Sequence, residues 1–347
     1  MTTEQFKEQY SSANYLPVDY YPWPNLINPH VEQMGRDMDS WIDKDYTFLT
    51  EKQREKYKKM RLHYCTARMV PNLSYEHVMP CNKFMLFYVV VDDQLEYAPI
   101  EEIEHQCERL TAILKGDDPR PDENGMYLHA ALIRDEYRAF MPEEWMERFI
   151  EDFYRTFRYG IGVETPYKAA TRPPSLVLFK AIRQHSVLMY PYLCWAEIQP
   201  GLVLPKHIAE HPIMQHIKNL MVRVIAWQND FHSLPKEIAH KTEVFNLIPV
   251  LQLEHKISLD EACTKAFHIH NEELAEILAL HMEYREFGVY QEHVDKYVHN
   301  FGLMIQGVNT FYLRDTMRYL AGGEGFAWPE KESAVTTPKK CITNGRT

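Results

Sequence analysis

The sequence predicts an all-α protein built as one domain, on three observations. Only 13 Gly stand against 16 Met, 22 Tyr and 16 Phe, which is too few for the many tight turns of a β architecture. Apolar residues recur at three- and four-residue spacing over long segments, as helices burying one face require. No stretch alternates apolar and polar residues for a useful length, and no repeat or low-complexity linker divides the 347 residues.

The elements follow in order. Residues 1–30 are rich in Pro and aromatics, with Tyr20-Tyr21-Pro22-Trp23-Pro24 and then Asn28-Pro29-His30. Each Pro disfavours helix in the residue before it, so this segment is expected to be an extended strap packed on the domain. Helical periodicity then predicts helices near 31–45, 51–70, 81–96, 99–115, 126–140, 143–158, 175–190, 205–240, 243–255, 259–283 and 287–320, within a domain spanning 31–321. Breakers separate them at Pro71-Asn72, Asp117-Asp118-Pro119-Arg120-Pro121, Pro142, Pro173-Pro174 and Gly201. Residues 322–347 open with Gly322-Gly323-Glu324-Gly325 and are expected to form a flexible C-terminal tail.

Composition removes several classes of function. A net charge of −11 leaves no basic stripe to neutralise phosphates, so nucleic acid is not an expected partner. Cys65, Cys81, Cys107, Cys194, Cys263 and Cys341 show no metal-ligand spacing and read as free thiols. The N-terminal residues lack a basic segment followed by an apolar core, and no apolar run reaches the roughly 20 residues of a membrane span. The expected location is the cytoplasm.

Two motifs carry the chemistry. Asp92-Asp93-Gln94-Leu95-Glu96 follows the apolar run Phe84–Val91, and Asn229-Asp230-Phe231-His232-Ser233-Leu234-Pro235-Lys236-Glu237 follows the apolar run Leu220–Trp227. On a helix Asp92 and Glu96 share a face, with Asp93 turned about 100° away. Asn229, Ser233 and Glu237, four residues apart, form one stripe. Carboxylates at the end of apolar segments are costly to bury unless a cation neutralises them, and an oxygen-only set suits Mg²⁺. Lys236 lies beside the stripe as a point charge for a phosphate oxygen. Taken singly, each cluster reads as a solvated helix face; together they read as two walls of one metal-filled pocket. Pro235 removes a helix hydrogen bond and is expected to kink or end the helix near the metal.

The second motif matches the NDxxSxxKE pattern of class I terpene synthases at Asn229, Asp230, Ser233, Lys236 and Glu237, and the first matches their DDxxE/D pattern at Asp92, Asp93 and Glu96. Arg183 lies 46 positions before Asn229, where bacterial-type members carry a diphosphate-sensing arginine. Arg318-Tyr319 resembles their terminal Arg-Tyr pair, and the strap resembles their N-terminal segment. The family often has a small residue four positions after the sensor, where a helix breaks; this chain has Val187, whose β-branch resists unusual backbone angles, so the break is expected to be reshaped or shifted.

The resemblance, which covers about 20–320, implies a helical bundle around a central cavity. It implies a terpene cyclase that ionises a linear isoprenyl diphosphate, with farnesyl favoured over geranylgeranyl diphosphate, and it is compatible with a homodimer. Three Mg²⁺ ions, with Mn²⁺ as a substitute, are implied between the motifs, with Arg183, Lys236, Arg318 and Tyr319 on the diphosphate. Phe84, Phe87 and Tyr88 are candidate cavity walls, with ordinary helix core as the alternative, and Val187 is a candidate substrate contact.

Two other enzyme classes share part of this pattern. A trans-prenyl chain elongase is near in fold but carries a second aspartate-rich motif in place of Asn, Ser and Glu. Glu102-x-x-His105 and Glu237-x-x-His240 match the pairs of ferritin-like di-iron bundles.

Overall fold

A computed structural model of the chain describes residues 10–95, 98–170, 172–198, 201–240 and 245–317; at 236 and 238–240 it describes the backbone alone. Among these residues there is no strand. The helices are α1 (Val31–Lys44), α2 (Glu51–Met60), α3 (Leu62–Met69), α4 (Tyr75–Leu95), α5 (Ile100–Lys115), α6 (Gly125–Arg138), α7 (Glu143–Arg155), α8 (Gly162–Ala169), α9 (Leu176–Ser186), α10 (Met189–Leu193), α11 (Lys206–Ala209), α12 (Pro212–His240), α13 (Leu247–His255), α14 (Leu259–Glu283) and α15 (Gln291–Thr310). Two π-helical turns, Thr156–Ile161 and Phe311–Asp315, extend α7 and α15.

Sequence explains the layering. α7 buries Trp145, Met146, Phe149, Ile150 and Phe153 on one face and is an outer helix. α4 is instead buried nearly all round, from Val78 to Leu95, and forms the centre, packed on α3 and α6. α12 packs on α14 and α15, and α3 closes the ring against α15.

Several expected boundaries move for local reasons. The expected 51–70 helix is split at Arg61, which has φ 54°. The expected 81–96 helix starts at Tyr75, with Pro80 accommodated near its beginning. The chain stays helical beyond the expected 143–158 segment, through Gly160, Gly162 and Pro166. The tail and the last residues of the predicted final helix lie outside the described residues.

Pro235 neither ends nor interrupts the helix, which runs on to His240. A proline strands the carbonyl four residues earlier, here that of Phe231. The Tyr10 hydroxyl donates to it at 2.7 Å, so the strap supplies the missing bond. The strap is tied elsewhere too: Ser12 meets His232 Nδ1 at 2.8 Å, Asn309 Nδ2 donates to the Pro17 carbonyl at 2.9 Å, and Gln306 donates to the Val18 carbonyl. Trp23 lies flat on Gly302, where a Cβ would come within 2.0 Å of the ring.

Cys65, Cys81, Cys107, Cys194 and Cys263 are buried free thiols. Among the described residues no helix is long and apolar enough to cross a membrane.

Candidate active site

Asn229, Ser233 and Glu237 line one cavity of about 200 Å³, as their spacing requires. The turn below them is fixed by Asn246, the residue that caps α13. Its Oδ1 accepts from Ile248 N at 2.9 Å, while its Nδ2 donates to the Asp230 carbonyl at 2.8 Å and to Glu237 Oε2 at 2.6 Å. One buried amide therefore caps a helix and orients a carboxylate. An Asn directly before the apolar run Leu247–Leu251 is an N-cap signal that sequence reading could have used.

Arg183 reaches the same cavity from α9. Its Nε and Nη2 donate to Asp230 Oδ1 at 3.0 and 2.6 Å, and Nη2 also donates to Asn229 Oδ1 at 2.7 Å. Asp230 is fully buried, and its Oδ2 takes the Leu247 amide at 2.8 Å. The motif aspartate thus anchors the arginine rather than facing the cavity. Asn229 Nδ2 donates to the Tyr312 hydroxyl at 2.9 Å, which ties α12 to the π turn after α15. Glu164 and Lys168 on α8 also line the cavity, paired at 2.6 Å.

The opposite wall is α4, where Met85, Val89 and Asp92 line the cavity at successive turns. Asp93 does not line it. It accepts from the Tyr57 hydroxyl at 2.9 Å and pairs with Lys56 at 3.5 Å, tying α4 to α2. Phe84, Phe87 and Tyr88, expected as possible walls, are also not among the lining residues. They fill an aromatic cluster behind it, with Phe84 4.9 Å from Phe149, Phe87 6.4 Å from Phe153 and Tyr88 5.4 Å from Phe157. The cause is rotation: Met85, Val89 and Asp92 occupy the stripe facing α12, so positions 84, 87 and 88 face α7. Glu96, Arg318, Tyr319 and the Lys236 side chain lie outside the described residues.

The helix break comes after Ser186. Val187 caps α9 in an ordinary conformation (φ −74°) and lines the cavity, whereas Leu188 takes the left-handed one (φ 68°). The strained residue sits one place later than the family pattern implies, in a residue without a β-branch. The π turn Thr156–Ile161 packs on this break through Gly160.

The cavity pairs carboxylate, amide and hydroxyl oxygens from two facing helices, a donor set that fits a hard divalent cation. Loss of hydration and then the charge of Asp230 push the Glu237 carboxyl up to about 7, a cost that a bound cation would reverse. The di-iron alternative finds no support: Glu102 and His105 are exposed, and no described group of three His, Cys, Asp or Glu side chains could hold a metal.

Known proteins resemble this chain in sequence and fold. The model of the family "Terpene synthase family 2, C-terminal metal binding" matches residues 83–276, which contain Asp92, Arg183 and the whole α12 stripe. The chain is 27% identical over 259 residues to a (+)-T-muurolol synthase of Roseiflexus castenholzii, covering 74% of this chain and 78% of that protein. It is 24% identical to a germacrene A synthase of Nostoc punctiforme, covering 86% and 94%. The crystal structure of an α-eudesmol synthase superposes with a TM-score of 0.75 at 20% identity, over 85% of this chain and 98% of that one. With more than half the chain matched by the family model, and a helical fold shared with its relatives, this protein belongs to the terpene synthase family and is a class I, bacterial-type terpene synthase, a lyase.

Proposed function

We propose that the chain is a Mg²⁺-dependent cyclase of a linear isoprenyl diphosphate, with farnesyl diphosphate the preferred substrate. The observation that carries this reading is the convergence of Asp92 with Asn229, Ser233, Glu237 and Arg183 on one cavity whose remaining wall is largely apolar. Asp92 on one side and the α12 stripe on the other would hold the metal, with Glu96 completing the first motif. Three Mg²⁺ ions are the proposed complement, and Mn²⁺ the proposed substitute. When bound, Mg²⁺ supplies Lewis-acid stabilisation of the charge that develops on the departing diphosphate.

The chain's own residues do the rest. Arg183 is positioned by Asp230 on a fixed platform, so its guanidinium can turn one N–H from Asn229 to a diphosphate oxygen without losing its anchor. That turn frees Asn229 Oδ1 to act as a ligand. Lys236, Arg318 and Tyr319 are proposed to complete the diphosphate contacts. Met85, Val89, Ile161, Val187, Val308 and Phe311 exclude water from the hydrocarbon, which protects a carbocation from premature quenching. The Roseiflexus castenholzii relative is named as cyclising (2E,6E)-farnesyl diphosphate, which supports the farnesyl preference.

Incubation with geranyl, farnesyl, geranylgeranyl and geranylfarnesyl diphosphates, followed by gas chromatography with mass detection, tests the proposal. Cyclic products from farnesyl diphosphate, abolished by EDTA and by Glu237→Gln, are expected. Turnover that persists in excess EDTA would overturn it, and a predominance of products from geranylgeranyl diphosphate in equal competition would overturn the chain-length assignment.

A further inference from the structure

The apolar wall is rich in sulfur. Met60, Met69, Met85 and Met189 all line the cavity, together with Cys65. Each of these methionines is at least nine-tenths buried. Two of the thioethers accept hydrogen bonds. The Tyr192 hydroxyl donates to Met85 Sδ at 3.4 Å, and the Cys65 thiol donates to Met69 Sδ at 3.8 Å, within one turn of α3. Tyr192 lines the same cavity.

Position gives these contacts meaning. Met85 stands seven residues before Asp92 on α4, about 10 Å from the acidic end along the helix axis. That is the reach of a prenyl chain whose diphosphate is held at Asp92. A thioether is polarizable and only weakly basic, so it can lower the energy of a nearby cation without taking a proton from it. A free sulfur lone pair is also a soft nucleophile. A donor placed on one lone pair fixes the direction of the other and reduces its reactivity.

We infer that Met85 and Met69 stabilise carbocations in the cavity and determine specificity, with Tyr192 and Cys65 as the positioning residues that hold their sulfurs. Their task is to steer the cation once it has formed, so their first effect is on which product emerges. The inference rests on the cyclase activity proposed above.

The test separates product choice from diphosphate release. Met85→Leu and Met69→Leu conserve volume and remove sulfur. Tyr192→Phe keeps the ring and removes only the donor. Met126→Leu, at a buried methionine that does not line the cavity, is the control. Each is assayed with farnesyl diphosphate and Mg²⁺ for initial diphosphate release and for product distribution. A several-fold rise in acyclic and early-cyclised products per diphosphate released for the cavity variants alone, with Met126→Leu matching wild type in both release and products, is the expected result. Met85→Leu combined with Tyr192→Phe should match Met85→Leu, because both act through one sulfur. An unchanged product profile in Met85→Leu and Tyr192→Phe overturns the inference, as do fully additive effects or an equal shift in the control. If wild type releases no diphosphate from any prenyl substrate, the proposed function itself fails; if wild type cyclises and the variants copy it, only the sulfur assignment fails.

Discussion

Gly160 decides whether the helix break beside the cavity is held by direct backbone contact. A methyl group there would lie 2.7 Å from the His185 carbonyl carbon, 2.7 Å from Ser186 N and 2.8 Å from Ser186 Cα. Unstrained carbon contacts begin near 3.5 Å, so either the π turn or the end of α9 must move by roughly 0.7–1 Å. All three partners are main-chain atoms, and no rotamer change can relieve them. Overpacking of this kind costs about 1–3 kcal/mol. In a large domain that lowers the melting temperature by roughly 2–4 °C for each kcal/mol. Gly162→Ala is the paired control. Its Cβ would meet only the Phe157 carbonyl at 3.3 Å and Ile103 Cγ2 at 3.8 Å, and its φ is −60°. Replacing a helical glycine recovers about 0.5–1 kcal/mol, against the few tenths of an ångström that the Phe157 carbonyl must give, so this control should melt close to wild type. Thermal unfolding followed by circular dichroism measures both, and product analysis adds a second readout, because displacing Ser186 and Val187 reshapes the cavity they line. If Gly160→Ala melts with Gly162→Ala, the close approach does not exist.

Three further outcomes are expected. Tyr10→Phe should cost about 1–3 kcal/mol by leaving the Phe231 carbonyl unpaired, and much less in a Pro235→Ala background, whose amide restores the helical bond. Chemical denaturation of the four proteins gives the coupling, and purely additive losses would contradict it. Asn246→Ala should weaken Mg²⁺ binding by roughly tenfold in titration calorimetry, because it releases Glu237 Oε2; an unchanged affinity would mean that the carboxylate orients itself. Below about 7 the Glu237 carboxyl holds a proton that must leave before a cation enters, since burial raises its folded-state value. Apparent Mg²⁺ affinity should therefore fall as pH drops under 7, by roughly tenfold per unit at most, and level off above it. Glu237→Gln should flatten that slope.

The α12 wall was legible because Asn229, Ser233 and Glu237 at fourfold spacing admit only one helical face. The α4 wall was half legible. Asp92 could be placed, but a helix buried all round has no polar side to set its rotation, so nothing in the sequence separated Met85 from Phe84 or Tyr88. Arg183 was found from its spacing, whereas the role of Asp230 depends on α9 crossing α12, which local periodicity does not encode. The same limit applies to Tyr10. A proline inside a helix signals a missing bond, but the donor that replaces it comes from 221 residues away.

That long reach bears on how the chain is made. Gln306 and Asn309 grip Val18 and Pro17 across 288 and 292 residues, and Tyr21 N donates to Gln306 at 3.3 Å. During synthesis the strap must therefore wait for Gln306, 288 residues beyond Val18, before all its ties can form. Until then the aromatic strap and the face of α12 that it covers are exposed together, a surface open to chaperones and to self-association. Closing so long a loop also raises the contact order, which slows the final folding step relative to a bundle of neighbouring helices. Completion of α15 is what seals the molecule, so a chain interrupted before Gln306 would carry both facing walls of the cavity and still lack the strap's ties to α15.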